Sequence, residues 1–205
     1  MDVADCTGSG ASNAPLRFLN FVDAMTRVLD ESAGDEARIL HFGSPVVQAL
    51  VAHDDWLPER LACPLPGCYG QYLLYRDPAV RFTAVAFVWD GGARTPIHDH
   101  TVWGIVGLLR GAEVAERFRF ENGALRSLGE ATLSPGEIDR VSPRIGDIHQ
   151  VRNAFADRTS ISIHVYGGDL CTIERHEYDR ATGRSRTIVS KPFDNVEPLL
   201  LARAG

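Results

Sequence analysis

The stretch Gly91-Gly92-Ala93-Arg94-Thr95-Pro96-Ile97-His98-Asp99-His100 decides the fold. It sets two histidines two residues apart, directly after glycine and proline have punctuated the chain. In a strand alternate side chains share one face, so both imidazoles can point into a barrel together. Further on, Pro143-Arg-Ile-Gly146-Asp-Ile-His149-Gln-Val-Arg-Asn153 reads as a turn feeding a strand that carries one more histidine. Antiparallel barrels bring such distant strands face to face, so the three imidazoles can meet. His149 alone would read as an ordinary core or surface histidine; the paired His98 and His100 and the Gly-Pro punctuation turn it into a candidate ligand.

Around these two segments the chain is β-rich. From Tyr69 onward, short runs (71–75, 81–89, 101–109, 113–120 and 161–166) alternate with Gly, Pro and Asp. That spacing predicts an all-β sandwich or barrel rather than alternating helix and strand. Glu121-Asn122-Gly123 predicts a hairpin, because Asn-Gly supplies the positive φ angles of a tight turn. The region before Tyr69 is different. Leu16, Leu19, Val22, Met25 and Leu29 recur at three- and four-residue steps after Pro15, which predicts an amphipathic helix over 16–30. Ser44-Pro45 reads as the start of a second helix, running through Val46, Val47, Leu50 and Val51 toward Trp56. A turn-rich stretch over 58–70 ends this region. The expected organisation is a disordered tail over 1–15, a helical annex over 16–68 and a barrel over 69–205, all in one structural unit. The Leu-rich end from Pro198 is expected to pack on the body.

Composition narrows the function. The 205 residues suit one compact domain with an annex. A net charge of −6 without a clustered basic face argues against nucleic acid. The sequence shows neither a secretory signal nor an apolar run of the roughly 20 residues that span a bilayer, so no membrane is expected and a cytoplasmic protein is. Cys6, Cys63, Cys68 and Cys171 are too scattered for a disulfide framework and lack a second pair for zinc, so they read as free thiols.

The two histidine segments together resemble the cupin superfamily, whose motifs are glycine, five residues and His-x-His, then a later turn leading to His and Asn. They occur here at 92–111 and 136–153. The resemblance implies a cupin fold, the double-stranded β-helix or jelly-roll barrel. Many cupins place a glutamate ligand a few residues after His-x-His; here that place reads Thr101-Val-Trp-Gly104-Ile, with no carboxylate. A metal would keep a neutral three-histidine face of His98, His100 and His149. Such a face suits Fe(II), Zn(II), Ni(II) or Cu(II), and coordination chemistry alone does not choose among them.

Ser162-Ile-His164-Val-Tyr166 adds a second constellation. Its period of two puts Ser162, His164 and Tyr166 on one face of a strand otherwise built of Ile and Val, an arrangement suited to a hydrogen-bonded relay that ends at a metal pocket. A three-histidine cupin with Ser-x-His-x-Tyr resembles the bacterial thiol dioxygenases, relatives of cysteine dioxygenase. The likeness runs through Trp56-Leu-Pro, Tyr69-Gly-Gln71-Tyr-Leu-Leu, His98-Asp-His100, Trp103-Gly104, Gly146-Asp-Ile-His149 and 162–168. It implies Fe(II) as cofactor, O2 and a small thiol as substrates, a sulfinate as product, and Ser162, His164 and Tyr166 as catalytic residues.

Mammalian-type cysteine dioxygenases clamp the substrate carboxylate with an arginine and cross-link a cysteine to the pocket tyrosine. The matching places here are Gln71 and Gly104. This pattern is similar to that of 3-mercaptopropionate dioxygenases, with cysteine and mercaptosuccinate as alternative substrates. Gln71 donates hydrogen bonds less strongly than a guanidinium, and Arg175 is the remaining cation that can balance a substrate carboxylate; beside Glu174 it also reads as a surface arginine. Trp103 and Tyr72 read as core aromatics. The rival readings are a zinc or nickel cupin isomerase or hydrolase, and a non-catalytic cupin that senses small acids.

Overall fold

The computed structural model describes residues 15–201, so the tail expected over 1–15 lies outside the described residues except for Pro15. Two helices come first, α1 (Leu16–Ser32) and α2 (Glu36–Val51). The first follows the expected amphipathic pattern and buries Phe18, Phe21, Val22, Met25 and Leu29. The second corrects the expectation of a start at Ser44. Asp35 is the true cap, its side chain accepting from the Arg38 N–H, and the helix runs through Ser44 and Pro45 and stops at Val51, short of Trp56. Proline lacks the N–H an interior helical position donates. Here Ser44 turns its hydroxyl back onto the Leu40 carbonyl at 2.6 Å, so the pair that looked like a start sits mid-helix.

The strands follow: β1 (Tyr69–Arg76), β2 (Thr83–Trp89), β3 (Ile97–His98), β4 (Gly104–Arg110), β5 (Glu113–Glu121), β6 (Ala124–Leu133), β7 (Ile138–Val141), β8 (Ile148–Asn153), β9 (Ser160–Tyr166), β10 (Arg175–Tyr178) and β11 (Ser185–Ile188). They make two antiparallel sheets, β1-β2-β9-β4-β7 and β11-β10-β3-β8-β5-β6. From β2 to β9 the chain crosses between the sheets at every step except the β5–β6 hairpin, the winding of a double-stranded β-helix. The fold is an all-β double-stranded β-helix of two sheets with two N-terminal helices, the architecture expected from the sequence. Asn122 and Gly123 take φ of 51° and 79° in the β5–β6 hairpin, the turn their dipeptide predicted.

The helices explain the chemistry of the strands they cover. Phe18, Met25, Val47 and Leu50 pack with Ala84, Ala86 and Val88 of β2 and Ile161, Ile163 and Val165 of β9 in one core. The alternate residues, Val85, Phe87 and Trp89 of β2 and Tyr166 of β9, join a second cluster inside the barrel. β9 is therefore buried along its whole length. Its apolar face meets the helices, and its Ser162, His164 and Tyr166 face turns inward. At the other end of the chain, Leu199 is buried in the helix-side core and the Leu200 N–H bonds the Leu74 carbonyl, as expected of the Leu-rich terminus.

Among the described residues, Cys63 departs from expectation. Cys63 is disulfide-bonded, whereas Cys68 and Cys171 are free thiols as read. Spacing along a chain does not reveal which distant cysteines the fold brings together. Among the described residues, no helix is long and apolar enough to cross a membrane.

Candidate metal centre

His98 and His149 are direct cross-strand partners on β3 and β8. Such opposed residues have their Cβ atoms about 5 Å apart on one face of the sheet. His100 follows where β3 ends, and there Asp147 fixes the backbone: one carboxylate oxygen accepts from the N–H groups of His100 and Thr101, at 3.0 and 2.8 Å. The three rings pair at centroid separations of 4.8 to 4.9 Å. All three residues are buried, and one nitrogen from each lies within 4.8 Å of the others.

The hydrogen bonds behind the rings select the ligating atoms. His98 Nδ1 lies 3.0 Å from the Pro96 carbonyl, which can only accept, so Nδ1 carries the proton and Nε2 keeps its lone pair. His100 Nδ1 is held by the Asp147 carboxylate at 2.8 Å, again leaving Nε2 free. That His100 Nε2 is buried with no hydrogen-bond partner, and so is His149 Nδ1. Burial, with the neighbouring imidazoles, pushes His98 and His149 well below the usual histidine range, so both are neutral. Unpartnered buried nitrogens are costly, and three imidazoles converging on one point fit a metal ion that takes their lone pairs. The donor set suits a transition-metal ion and, by itself, selects no particular metal.

Beside the three histidines lies a hydrogen-bonded chain. Tyr166 Oη is 2.6 Å from His164 Nδ1, and His164 Nε2 is 2.8 Å from Ser162 Oγ. The His164 ring is stacked against Phe87 at 4.1 Å, and the Tyr166 ring against His100 at 5.2 Å. Burial drives His164 down to about 3, so it is neutral and one of its two nitrogens carries a proton. Burial also raises the Tyr166 phenol.

His98, His149, His164 and Tyr166 line one cavity together with Gln71 and Arg175. Gln71 is fixed by its backbone, whose N–H donates to Asp194 at 2.7 Å and whose carbonyl accepts from the Asp194 N–H. Arg175 donates to Ser190 Oγ at 2.6 Å, while its Nε is buried without a partner. Trp103 and Tyr72 lie in the helix-side core, as read; Tyr72 donates to the Cys63 carbonyl.

Sequence reading missed three contributors. Asp147 orients His100, and its only signal was its place two residues before His149. Trp89 donates from Nε1 to Ser162 Oγ at 3.0 Å and fixes that hydroxyl. Glu113 accepts from Ser160 Oγ at 3.4 Å from across the barrel. Nothing in the local pattern of β5 sets Glu113 apart, because its role depends on what β9 brings opposite it.

No protein-family model matches the chain. Among solved structures, one similar to it is a Klebsiella pneumoniae protein with a double-stranded β-helix domain, at 13% identity and TM-score 0.43 over 68% of this chain and 100% of the other. A second is a cupin-2 domain protein from Rhodospirillum rubrum, at 13% identity and TM-score 0.43 over 56% of this chain and 70% of the other. A third is an oxalate oxidase in complex with glycolate, at 13% identity and TM-score 0.42 over 51% of this chain. The match spans about half of that oxidase, 53% of its length.

Proposed function

We propose that this cupin is an Fe(II)-dependent thiol dioxygenase that converts a small thiol carboxylate, 3-mercaptopropionate first among them, to its sulfinate. The observation that carries the reading is one cavity lined by histidines of a three-imidazole cluster, by the end of the Ser162–His164–Tyr166 chain, and by an arginine with an unpartnered buried N–H. The reaction balances as RSH + O2 → RSO2H, with sulfur oxidised by four electrons and both oxygen atoms retained.

When bound, Fe(II) supplies a site where a thiol sulfur and dioxygen meet and exchange electrons. His98, His100 and His149 hold it without adding charge. Arg175 and Gln71 bind the carboxylate and set the distance from it to sulfur. A guanidinium and an amide in a buried cavity discriminate strongly against ligands that leave them unpaired. Phe87 and Leu170 wall the cavity with apolar surface. Tyr166, held by His164, keeps a hydroxyl at the place where charge develops on substrate or oxygen. No cysteine is available to bond it, since its register partner is Gly104.

Aerobic turnover of iron-loaded protein with a panel of 3-mercaptopropionate, cysteine and mercaptosuccinate tests this. The expected result is sulfinate formed with matching oxygen uptake, with 3-mercaptopropionate showing the highest kcat/KM. If no thiol yields sulfinate, the enzyme reading is wrong; a wide preference for cysteine would overturn the reading of Gln71.

A further inference from the structure

Strand β10 gives the substrate cavity one positive and one negative side chain. Arg175 and Glu177 stand two residues apart on it, so they share one face, and Glu177 is the register partner of His98 on β3, which turns that face toward the metal ligands. Both line the cavity with Gln71, His98 and Tyr166. Among the described residues that line it, Arg175 is the only Lys or Arg and Glu177 the only Asp or Glu. The Tyr69 phenol on the cavity wall feels both: burial raises it, the Arg175 charge draws it down and the Glu177 charge raises it further.

The two groups are held differently from outside. Arg175 donates to Ser190 Oγ and keeps a buried Nε–H unpartnered, a donor ready for a carboxylate. Glu177 accepts from Nε of its β11 partner Arg186 at 2.9 Å and from Nη2 of the same side chain, both on Oε2, which leaves Oε1 outside the pair. Arg186 is 75% exposed, so water screens this ion pair, and it does not cancel the charge that Glu177 presents to the cavity. A ligand with one carboxylate can face Arg175 and stay clear of Glu177. A ligand with two finds a guanidinium for only one of them, and the other meets Glu177, where like charges brought together away from bulk water repel. The neutral amide of Gln71 supplies no countercharge. An ammonium in the same place is attracted instead.

We propose that Glu177 is a specificity-determining residue, an acidic wall opposite Arg175 that makes the cavity select thiols with a single carboxylate and reject dicarboxylates such as mercaptosuccinate. Specificity built on repulsion of the wrong ligand complements the attraction that Arg175 offers the right one. This narrowing of the substrate class rests on the proposed thiol dioxygenase reading.

The test reads binding apart from turnover. Protein loaded with Zn(II), which is redox-inert, is titrated by calorimetry with 3-mercaptopropionate and with mercaptosuccinate. The wild type is expected to bind 3-mercaptopropionate at least about tenfold more tightly. Glu177→Gln, which keeps the shape and removes the charge, should shrink that gap to about threefold or less by tightening mercaptosuccinate, with 3-mercaptopropionate changing less than about threefold. Arg186→Gln, a change at an exposed residue that strips Glu177 of its countercharge, should widen the gap. In the iron-loaded enzyme kcat/KM should follow the same order, and cysteine should lose in Glu177→Gln where mercaptosuccinate gains. Binding with an unchanged gap in both variants overturns the proposal and leaves the dioxygenase reading standing. If the Zn(II)-loaded wild type binds neither thiol, the cavity is no thiol carboxylate site and both fall. Discrimination as expected, with no sulfinate from the iron-loaded enzyme, upholds the role of Glu177 in binding and overturns the reaction alone.

Discussion

The ring of Tyr166 occupies the space that a side chain on Gly104 would fill. The two residues are register partners on β9 and β4, and a Cβ at Gly104 would fall 2.9 Å from Cδ1 and Cε1 of the phenol and 2.8 Å from Val141 Cγ2. Since Tyr166 also stacks on His100 and bonds His164, the ring has no slack to yield without moving the hydroxyl. Gly104→Ala is therefore expected to destabilise the fold by about 1–3 kcal/mol, the usual cost of overpacking. It should also cut turnover at least tenfold while three-histidine metal binding survives. Thermal melts, metal content and oxygen uptake on one preparation check this; full activity in Gly104→Ala would show that the phenol position is not critical.

Asp147 acts on the centre through His100. It accepts from His100 Nδ1 and from two backbone N–H groups at the end of β3, so it fixes both the tautomer and the placement of one ligand. Removing such an outer partner typically costs 10- to 100-fold in metal affinity. Asp147→Ala should show a loss of that size in competition with a chelator, whereas His98→Ala, which removes a ligand, should abolish stoichiometric binding.

Glu113 predicts a pH dependence of stability whose sign is opposite to that of a salt-bridged carboxylate. Its pKa is raised on folding, from 4.5 to about 8, because burial disfavours the anion. Above the unfolded value the native state holds a proton that the unfolded chain has released, so stability from this group falls as pH rises through that window and levels off above it. The slope is roughly 1.4 kcal/mol per pH unit for one proton. Chemical denaturation at a series of pH values should show this fall in the wild type and a flatter curve in Glu113→Gln.

How much of this was legible depended on whether the signal was local. The period of two in Ser162, His164 and Tyr166 is a property of the strand itself, so the sequence displays it, whereas His100 lies just past the end of β3 and is placed by Asp147. The Asn122-Gly123 turn was equally plain. β6, in contrast, is exposed along nearly all of Ala124–Leu133 and carries no apolar alternation, so it did not read as a strand. Pro45 pointed to a helix start because the capping role of Asp35 is decided by geometry ten residues earlier. The grip of Asp147 on His100 and the contact of Glu113 with Ser160 join segments far apart in the chain, and no local pattern encodes them.

Arg175 offers a substrate test independent of the relay. It lines the cavity with Gln71, His98 and Tyr166, it donates to Ser190, and its Nε is left unpartnered in a buried position. A donor so placed is satisfied when a carboxylate enters, and charge-assisted hydrogen bonds of that kind contribute about 1.5–3 kcal/mol. Arg175→Ala should therefore lower kcat/KM for 3-mercaptopropionate by roughly 10- to 100-fold. For a thiol without a carboxylate, such as 2-mercaptoethylamine, the already weak activity should change less than about threefold, because no partner is lost. Equal losses on both substrates would mean that Arg175 supports the cavity wall instead of the carboxylate. Gln71→Arg completes the comparison: 3-mercaptopropionate and cysteine carry their carboxylates at the same distance from sulfur, so a second guanidinium that reached the carboxylate should lower KM for both.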